Sequence, residues 1–140
     1  MTALAANNDH PPASVKSHDA TVLVVEDEEN LRTLLRRALQ SHGYGVLEAA
    51  NGAEALLILE EKRQVHIVVT DLRMPVMDGR QLASVLSRLR PAIPVVFMSG
   101  FTAQLMNMRL VSPEITFIVK PFKYDDLLAL IRQRLESRAS

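Results

Sequence analysis

The sequence predicts an α/β protein, a parallel sheet with helices on both faces, and three observations carry that prediction. Short runs of apolar, largely β-branched residues alternate five times with stretches of helical periodicity. The runs are apolar throughout rather than alternating, as strands buried on both faces must be. Between consecutive runs lies enough chain for a helix and two short turns, so each strand can return parallel to the last through a right-handed crossover.

Residues 1 to about 20 precede this pattern. They are small and polar, with Asn7, Asn8, Pro11, Pro12, Ser14 and Ser17, and are expected to form a flexible tail before a single domain over 21–138. The first strand is Thr21 to Val25. A helix follows with Leu31, Leu34, Leu35, Ala38 and Leu39 on one face, Glu28 and Glu29 in its first turn, and Gly43 as its stop. Tyr44 to Ala49 reads as the second strand, and its weak polar content at the end makes it an edge strand. Asn51 caps a helix to about Lys62 with Ala55, Leu56 and Leu59 inward. Val65 to Thr70 is the third strand. Asp78 caps a helix opening at Gly79, with Leu82, Val85, Leu86 and Leu89 on its buried face, and Pro91 and Pro94 mark its end. Pro94 to Met98 is the fourth strand, and Thr102 to about Leu110 a further helix. Ile115 to Val119 is the fifth strand, and a last helix from about Lys123 to Arg138 turns Leu127, Leu128, Ile131 and Leu135 inward.

The chemistry lies in what stands at the strand ends, because ligands of open parallel sheets bind beyond their carboxyl edge. The first strand delivers Glu26 and Asp27, the third Asp71, the fourth Ser99 and the fifth Lys120. Three carboxylates on one rim repel one another and raise one another's pKa values, and a divalent cation resolves that conflict. Oxygen-only donors suit Mg²⁺, with Mn²⁺ able to take its place; Mg²⁺ favours few carboxylates plus phosphate oxygens. Lys120 adds a mobile positive charge for a phosphoryl oxygen and Ser99 a hydroxyl. Asp71 is then the natural nucleophile, since a carboxylate attacking phosphorus yields an aspartyl phosphate.

Composition excludes several other classes. Sixteen basic and sixteen acidic residues cancel among 140, so no nucleic-acid footprint and no charged membrane-binding surface is expected. The chain has no cysteine, which removes disulfide and thiol chemistry. No apolar run approaches the ~20 residues of a bilayer span, and no secretory signal stands at the N-terminus, so a cytoplasmic location is expected.

Four motifs, Val24-Val25-Glu26-Asp27-Glu28, Asp71-Leu72-Arg73-Met74-Pro75 with Asp78-Gly79, Met98-Ser99-Gly100, and Phe117-Ile118-Val119-Lys120-Pro121-Phe122, occur in order at the expected strand ends. Together they make the chain resemble the receiver domain of two-component response regulators, over about residues 21 to 138. The wording Val-Glu-Asp-Glu, Phe-Met-Ser-Gly-Phe and Lys-Pro-Phe is most similar to receivers appended to hybrid sensor kinases. The resemblance implies a flavodoxin-like (βα)5 fold, a doubly wound parallel sheet with strand order 2-1-3-4-5. It implies that Asp71 accepts a phosphoryl group from a histidine kinase or a histidine phosphotransfer protein. Asp27 would ligate Mg²⁺ directly, Glu26 through water, and the backbone carbonyl of Arg73 would complete the protein ligands with Asp71. Lys120 would contact the phosphoryl group, with a cis bond to Pro121. Ser99 would move to the phosphoryl oxygen and Phe117 turn inward, reshaping the face of the fourth helix, fifth strand and fifth helix for an unknown downstream protein. Arg73 and Phe101 occupy positions that tune phosphoryl lifetime in the family. The acidic pair is Glu-Asp rather than the commoner Asp-Asp, and Phe117 replaces a frequent tyrosine. No output domain is expected after residue 140, so the signal is expected to leave by partner binding, from a monomer or weak dimer. Partner choice in the family lies mainly on the first helix, here around Asn30, Leu31 and Leu34.

Three other functions compete. An aspartyl-nucleophile phosphatase typically needs a second aspartate two residues on as general acid; Arg73 stands there, so an enzyme is not expected. A flavin-binding module needs a phosphate-cradling loop after the first strand, where this chain has Glu26-Asp27-Glu28-Glu29. A docking module that works unphosphorylated would have no need for the full set of polar groups.

Overall fold

The computed structural model describes residues 20–61 and 64–139. The expected N-terminal tail and the helix end at Lys62 lie outside those residues. Ten elements alternate: β1 (Thr21–Val25), α1 (Glu29–Ser41), β2 (Gly45–Ala49), α2 (Gly52–Glu61), β3 (Ile67–Asp71), α3 (Gly79–Leu89), β4 (Val95–Ser99), α4 (Thr102–Val111), β5 (Thr116–Val119) and α5 (Tyr124–Ala139). The strands form one sheet in the order β2-β1-β3-β4-β5, all parallel. This is the flavodoxin-like arrangement, with β2 at an edge.

Two apolar layers hold it together. On one face, Val22, Val24, Val69, Val96 and Met98 pack against Leu35 and Leu39 of α1 and Leu127, Ile131 and Leu135 of α5. On the other, Leu23, Val25 and Val68 pack against Ala55 and Leu59 of α2 and Leu82 and Leu86 of α3. Alternate residues of β1 thus serve opposite layers, as period-two side-chain geometry requires of a strand covered twice. A third, smaller cluster of Leu72, Phe97 and Leu105 lies under α4.

Helix ends follow local chemistry. Asp78 accepts a bond from the Gln81 N–H at 2.9 Å and Gln81 returns one to the Asp78 N–H at 3.0 Å, a reciprocal capping box that starts α3. Asn51 Oδ1 accepts from the Glu54 N–H at 2.9 Å at the start of α2. Gly43, at φ 91°, closes α1, with its N–H on Gln40 O and the Tyr44 N–H on Leu39 O. Only glycine takes that left-handed position without strain.

Two expected core positions are corrected. Leu34 is 49% exposed and Leu89 65% exposed. Each lies at the margin of its helix's apolar stripe, so periodicity counted one leucine too many on each helix. Both strand and helix bounds otherwise differ from expectation by a residue or two, the ordinary fraying of element ends.

Candidate functional site

Strand register sets the site. Val25 stands beside Thr70, Asp71 beside Met98 and Ser99 beside Val119. The residues that end or follow β1, β3, β4 and β5 therefore emerge along one edge of the sheet. Main-chain bonds continue past the ladder: Glu26 N–H donates to Ala49 O at 3.0 Å, Leu72 N–H to Met98 O at 2.9 Å and Lys120 N–H to Ser99 O at 2.9 Å. The backbone beneath the polar side chains is fixed by these bonds.

The carboxylates of Glu26, Asp27 and Asp71 each offer an oxygen, and those oxygens lie within 4.8 Å of one another. Asp27 is exposed, whereas Asp71 and Glu26 are buried, Glu26 to 1%. Lys120 Nζ reaches between the two buried acids, 2.9 Å from Glu26 Oε1 and 3.2 Å from Asp71 Oδ2. Glu26 Oε2 accepts from the Glu28 N–H at 3.1 Å, and Asp71 Oδ1 from the Leu72 N–H at 2.9 Å. Asp71 Oδ1 is thus held by the main chain, and Oδ2 faces the Lys120 ammonium.

Burial pushes Glu26 up to about 7, helped by the charge of Asp71 and opposed by its bonds to Lys120 and the Glu28 N–H. Burial alone would lower the Lys120 pKa, but the contacts with Glu26 and Asp71 outweigh it and the ammonium's pKa rises. Once Glu26 is deprotonated, three carboxylates against one ammonium leave two negative charges on the rim, which one divalent cation would balance. All-oxygen donors, a net charge of that size and close mutual approach fit a hard cation such as Mg²⁺ or Mn²⁺.

Ser99, also buried, lies one residue beyond the β4 partner of Asp71, and its Oγ accepts from the Phe101 N–H at 2.9 Å. Phe117 pairs with Phe97 across β4 and β5 and is half-buried against the Leu72–Phe97–Leu105 cluster. The Arg109 guanidinium lies over its ring, 4.4 Å from the centroid. Arg73, on the loop after Asp71, lies over the Phe101 ring at 4.3 Å, so the two residues flanking the site touch each other. The peptide bond between Lys120 and Pro121 is cis.

The loop from Asp71 to α3 is tightly folded. Val76 sits at φ 70° with Met77 N–H on Pro75 O at 2.8 Å, a γ-turn that β-branched residues rarely adopt. A Cβ on Gly79 would stand 2.3 Å from the Asp71 carbonyl oxygen, so only glycine lets α3 start against the end of β3.

Arg32 of α1 is a rim residue that no sequence motif marks. Its Nη1 donates to the Glu26 carbonyl at 2.7 Å and its Nε lies 3.3 Å from Glu48 Oε1. The signal available was spacing alone: a long cation one turn into the helix that follows the acidic pair.

The fold and this edge define a class: a doubly wound α/β domain whose carboxyl edge gathers acids, a lysine and a serine. The family model described as the response regulator receiver domain matches residues 22–132, and the chain belongs to that family. It is 43% identical over 124 residues to the sensor kinase CckA of Brucella abortus, an alignment covering 87% of this chain and 13% of the kinase. The response regulator receiver protein CpdR of the same organism is 34% identical over 115 residues, 81% of this chain and 95% of CpdR. Among solved structures, the receiver domain of the hybrid histidine kinase CckA superposes with a TM-score of 0.70 at 34% identity, covering 83% of this chain and 99% of that one. The chain therefore spans only a small part of the first of these relatives, and is a receiver domain of two-component signalling. Among the described residues, no helix is long and apolar enough to cross a membrane.

Proposed function

We propose that this domain takes a phosphoryl group from a histidine kinase or histidine phosphotransfer protein onto Asp71, and signals through the face of α4, β5 and α5. The observation that carries the reading is the unequal treatment of the two Asp71 oxygens: Oδ1 is anchored by the Leu72 N–H, and Oδ2 lies 3.2 Å from Lys120 Nζ beside two further acids. In the transfer, Oδ2 bonds to phosphorus as the phosphorus–nitrogen bond of the donor phosphohistidine breaks. The imidazole leaves with that electron pair and picks up a proton, giving neutral histidine and an aspartyl phosphate.

Glu26, Asp27, Asp71 and the Arg73 carbonyl are the groups that would hold a divalent cation. When bound, that cation supplies charge stabilisation for the equatorial phosphoryl oxygens. Lys120 has the reach to leave Glu26 for a phosphoryl oxygen while keeping its proton. Ser99 is suited to donate its hydroxyl proton to another phosphoryl oxygen, since among the described residues its Oγ only accepts, from the Phe101 N–H. That movement would vacate space next to Phe97, and Phe117 would turn into it. The receiving face carries exposed Leu110 and Val119, an apolar surface for a downstream protein. The donor would approach over Leu31, Pro121, Phe122 and Tyr124, which line a groove beside Lys120, with exposed Leu34 on the same helix. We place the site in the cytoplasm, with the domain over 21–138 acting as an assisted phosphoacceptor rather than a multiple-turnover enzyme.

The test is direct. Incubated with acetyl phosphate and Mg²⁺, the protein should gain about 80 Da by intact mass, the mass of one phosphoryl group. The gain should disappear in Asp71→Ala and on adding a chelator. Retention of the added mass by Asp71→Ala would overturn the assignment.

A further inference from the structure

We infer that Arg32 is a positioning residue for the cation site, fixing the peptide between Glu26 and Asp27 and so setting where both acidic side chains stand. The inference rests on the proposed reading of the rim as a cation and phosphoryl site. Arg32 belongs to α1, five residues beyond Asp27, and its side chain turns back over the end of β1. Nη1 donates to the Glu26 carbonyl at 2.7 Å, the short contact of a charge-assisted bond. Nε lies 3.3 Å from Glu48 Oε1 on β2, and Glu48 Oε2 lies 3.0 Å from Arg36 Nε. Glu48 thereby holds the guanidinium from β2.

The contact falls at the point where the ladder gives out. Glu26 still donates its N–H to Ala49 on β2, but its carbonyl is taken by Arg32. That carbonyl belongs to the peptide joining the two acids. The Glu26 side chain hangs from one end of it, tied to Glu28 N–H and Lys120. Asp27, exposed and outside the strand, hangs from the other. Rotation of this one peptide would carry Asp27 away from Asp71. Charge acts less than geometry here, because Glu48 sits against the guanidinium and offsets it. The competing, purely structural account is that Arg32 and Arg36 together staple α1 to β2 through Glu48. The two accounts differ over Arg36, which shares Glu48 but is not the residue bonded to the Glu26 carbonyl.

The full chain serves for the experiment. Mn²⁺ alone is titrated and free ion followed by electron paramagnetic resonance; separately, the initial rate of acetyl phosphate labelling is followed against Mg²⁺ concentration. Arg32→Ala should weaken Mn²⁺ binding by about tenfold, the usual loss when a partner that orients a ligand is removed. Its half-saturating Mg²⁺ should rise by a similar factor while the rate at saturating Mg²⁺ returns to within about threefold of wild type, as for lost uniform binding. Arg32→Lys, which can reach the carbonyl without also holding Glu48, should fall between. Arg36→Ala should leave the Mn²⁺ affinity unchanged. Equal Mn²⁺ affinity in Arg32→Ala and wild type, or an equal loss in Arg36→Ala, would overturn the inference. Should Arg32→Ala not fold, Arg32→Lys and Glu48→Gln carry the same comparison, and unchanged affinity in both overturns it. A wild-type protein that binds Mn²⁺ with the predicted Arg32 dependence yet takes no phosphoryl group would sink the phosphoacceptor reading and leave the positioning role standing.

Discussion

The centre of the sheet and its α4–β5 flank are built to different standards. All five residues of β3 and four of five in β1 are buried, and α3, which covers them, starts at a reciprocal capping box and buries Leu82 and Leu86. In β5 only Ile118 is buried, and α4 starts at Phe101 with no side-chain cap and buries Leu105 alone. Leu110 and Val111 on α4 are 82% and 85% exposed. Few apolar contacts and an uncapped end are the marks of an element that opens locally at low free energy. The carboxylates proposed to share an ion stand on the well-packed part, and the residues expected to move, Ser99 and Phe117, stand where it meets the loose one. A matched pair of truncations tests the contrast. Leu82 and Leu105 are both wholly buried, so their transfer terms are alike. Leu82→Ala should cost about 4 kcal/mol, near the upper end for such changes, and Leu105→Ala about 2, because α4 can settle into the space. Urea denaturation measures both; equal losses would mean the flank is packed as firmly as the centre.

A second, somewhat smaller effect belongs to the firm region alone. Glu26 is raised to about 7 in the folded protein from an ordinary carboxylate value of 4.5, so the fold holds a proton there that the unfolded chain has released. Stability from this group is fully present below pH 4.5, falls as pH rises through 7 and is flat beyond, since the native state binds more protons across that window. Without metal, urea midpoints should therefore decline between about pH 5 and 7, and Glu26→Gln should flatten the decline. Mg²⁺ should restore stability most at the alkaline end, where the carboxylate is free of its proton. A metal-free midpoint that climbed across this range would contradict the burial of Glu26 as the dominant influence on the rim.

The sequence was most informative where one residue type has few alternatives. An aspartate ending a run such as Ile67-Val68-Val69-Thr70, or a lysine between Val119 and a proline, can be assigned to a strand end because period and composition leave little else. So the strand order and the gathering of Glu26, Asp27, Asp71, Ser99 and Lys120 at one edge were legible from spacing together with family resemblance. Side-chain direction was not. Leu34 and Leu89 obey the helical period yet face outward, since the width of the buried stripe depends on how each helix lies on the sheet, which is a tertiary property. Arg32 escaped for a related reason. A guanidinium spans several ångströms of flexible chain, and nothing local says whether it ends in water, on Glu48 or on a backbone carbonyl. The γ-turn at Val76 was hidden too, because valine is among the last residues that propensity would put at positive φ.

The smallest expected effect bears most closely on how the flank moves. Two arginine–aromatic contacts pin the ends of α4, Arg73 on Phe101 at its start and Arg109 on Phe117 near its last turn. Phe101 is largely exposed, so the first contact is wet; Phe117 is half-buried, so the second is partly shielded. Cation–π contacts range from about 0.5 kcal/mol at exposed sites to roughly 2 when desolvated, which ranks the Arg109 contact above the other. Arg109→Ala should lower global stability by only about 0.5–1 kcal/mol, yet raise hydrogen exchange throughout α4 and leave β1 and β3 unchanged. Arg73→Ala should act in the same direction and more weakly, confined to the first turn. The same contact gives Phe117 two claims on its ring, one from Arg109 in the present position and one from the space beside Phe97, and removing the first should favour the second. A double-mutant cycle with Phe117→Leu isolates the pairwise energy. A coupling of zero, with α4 exchange unaltered, would show that the helix is held by the packing of Leu105 and Met108 rather than by the Arg109 contact.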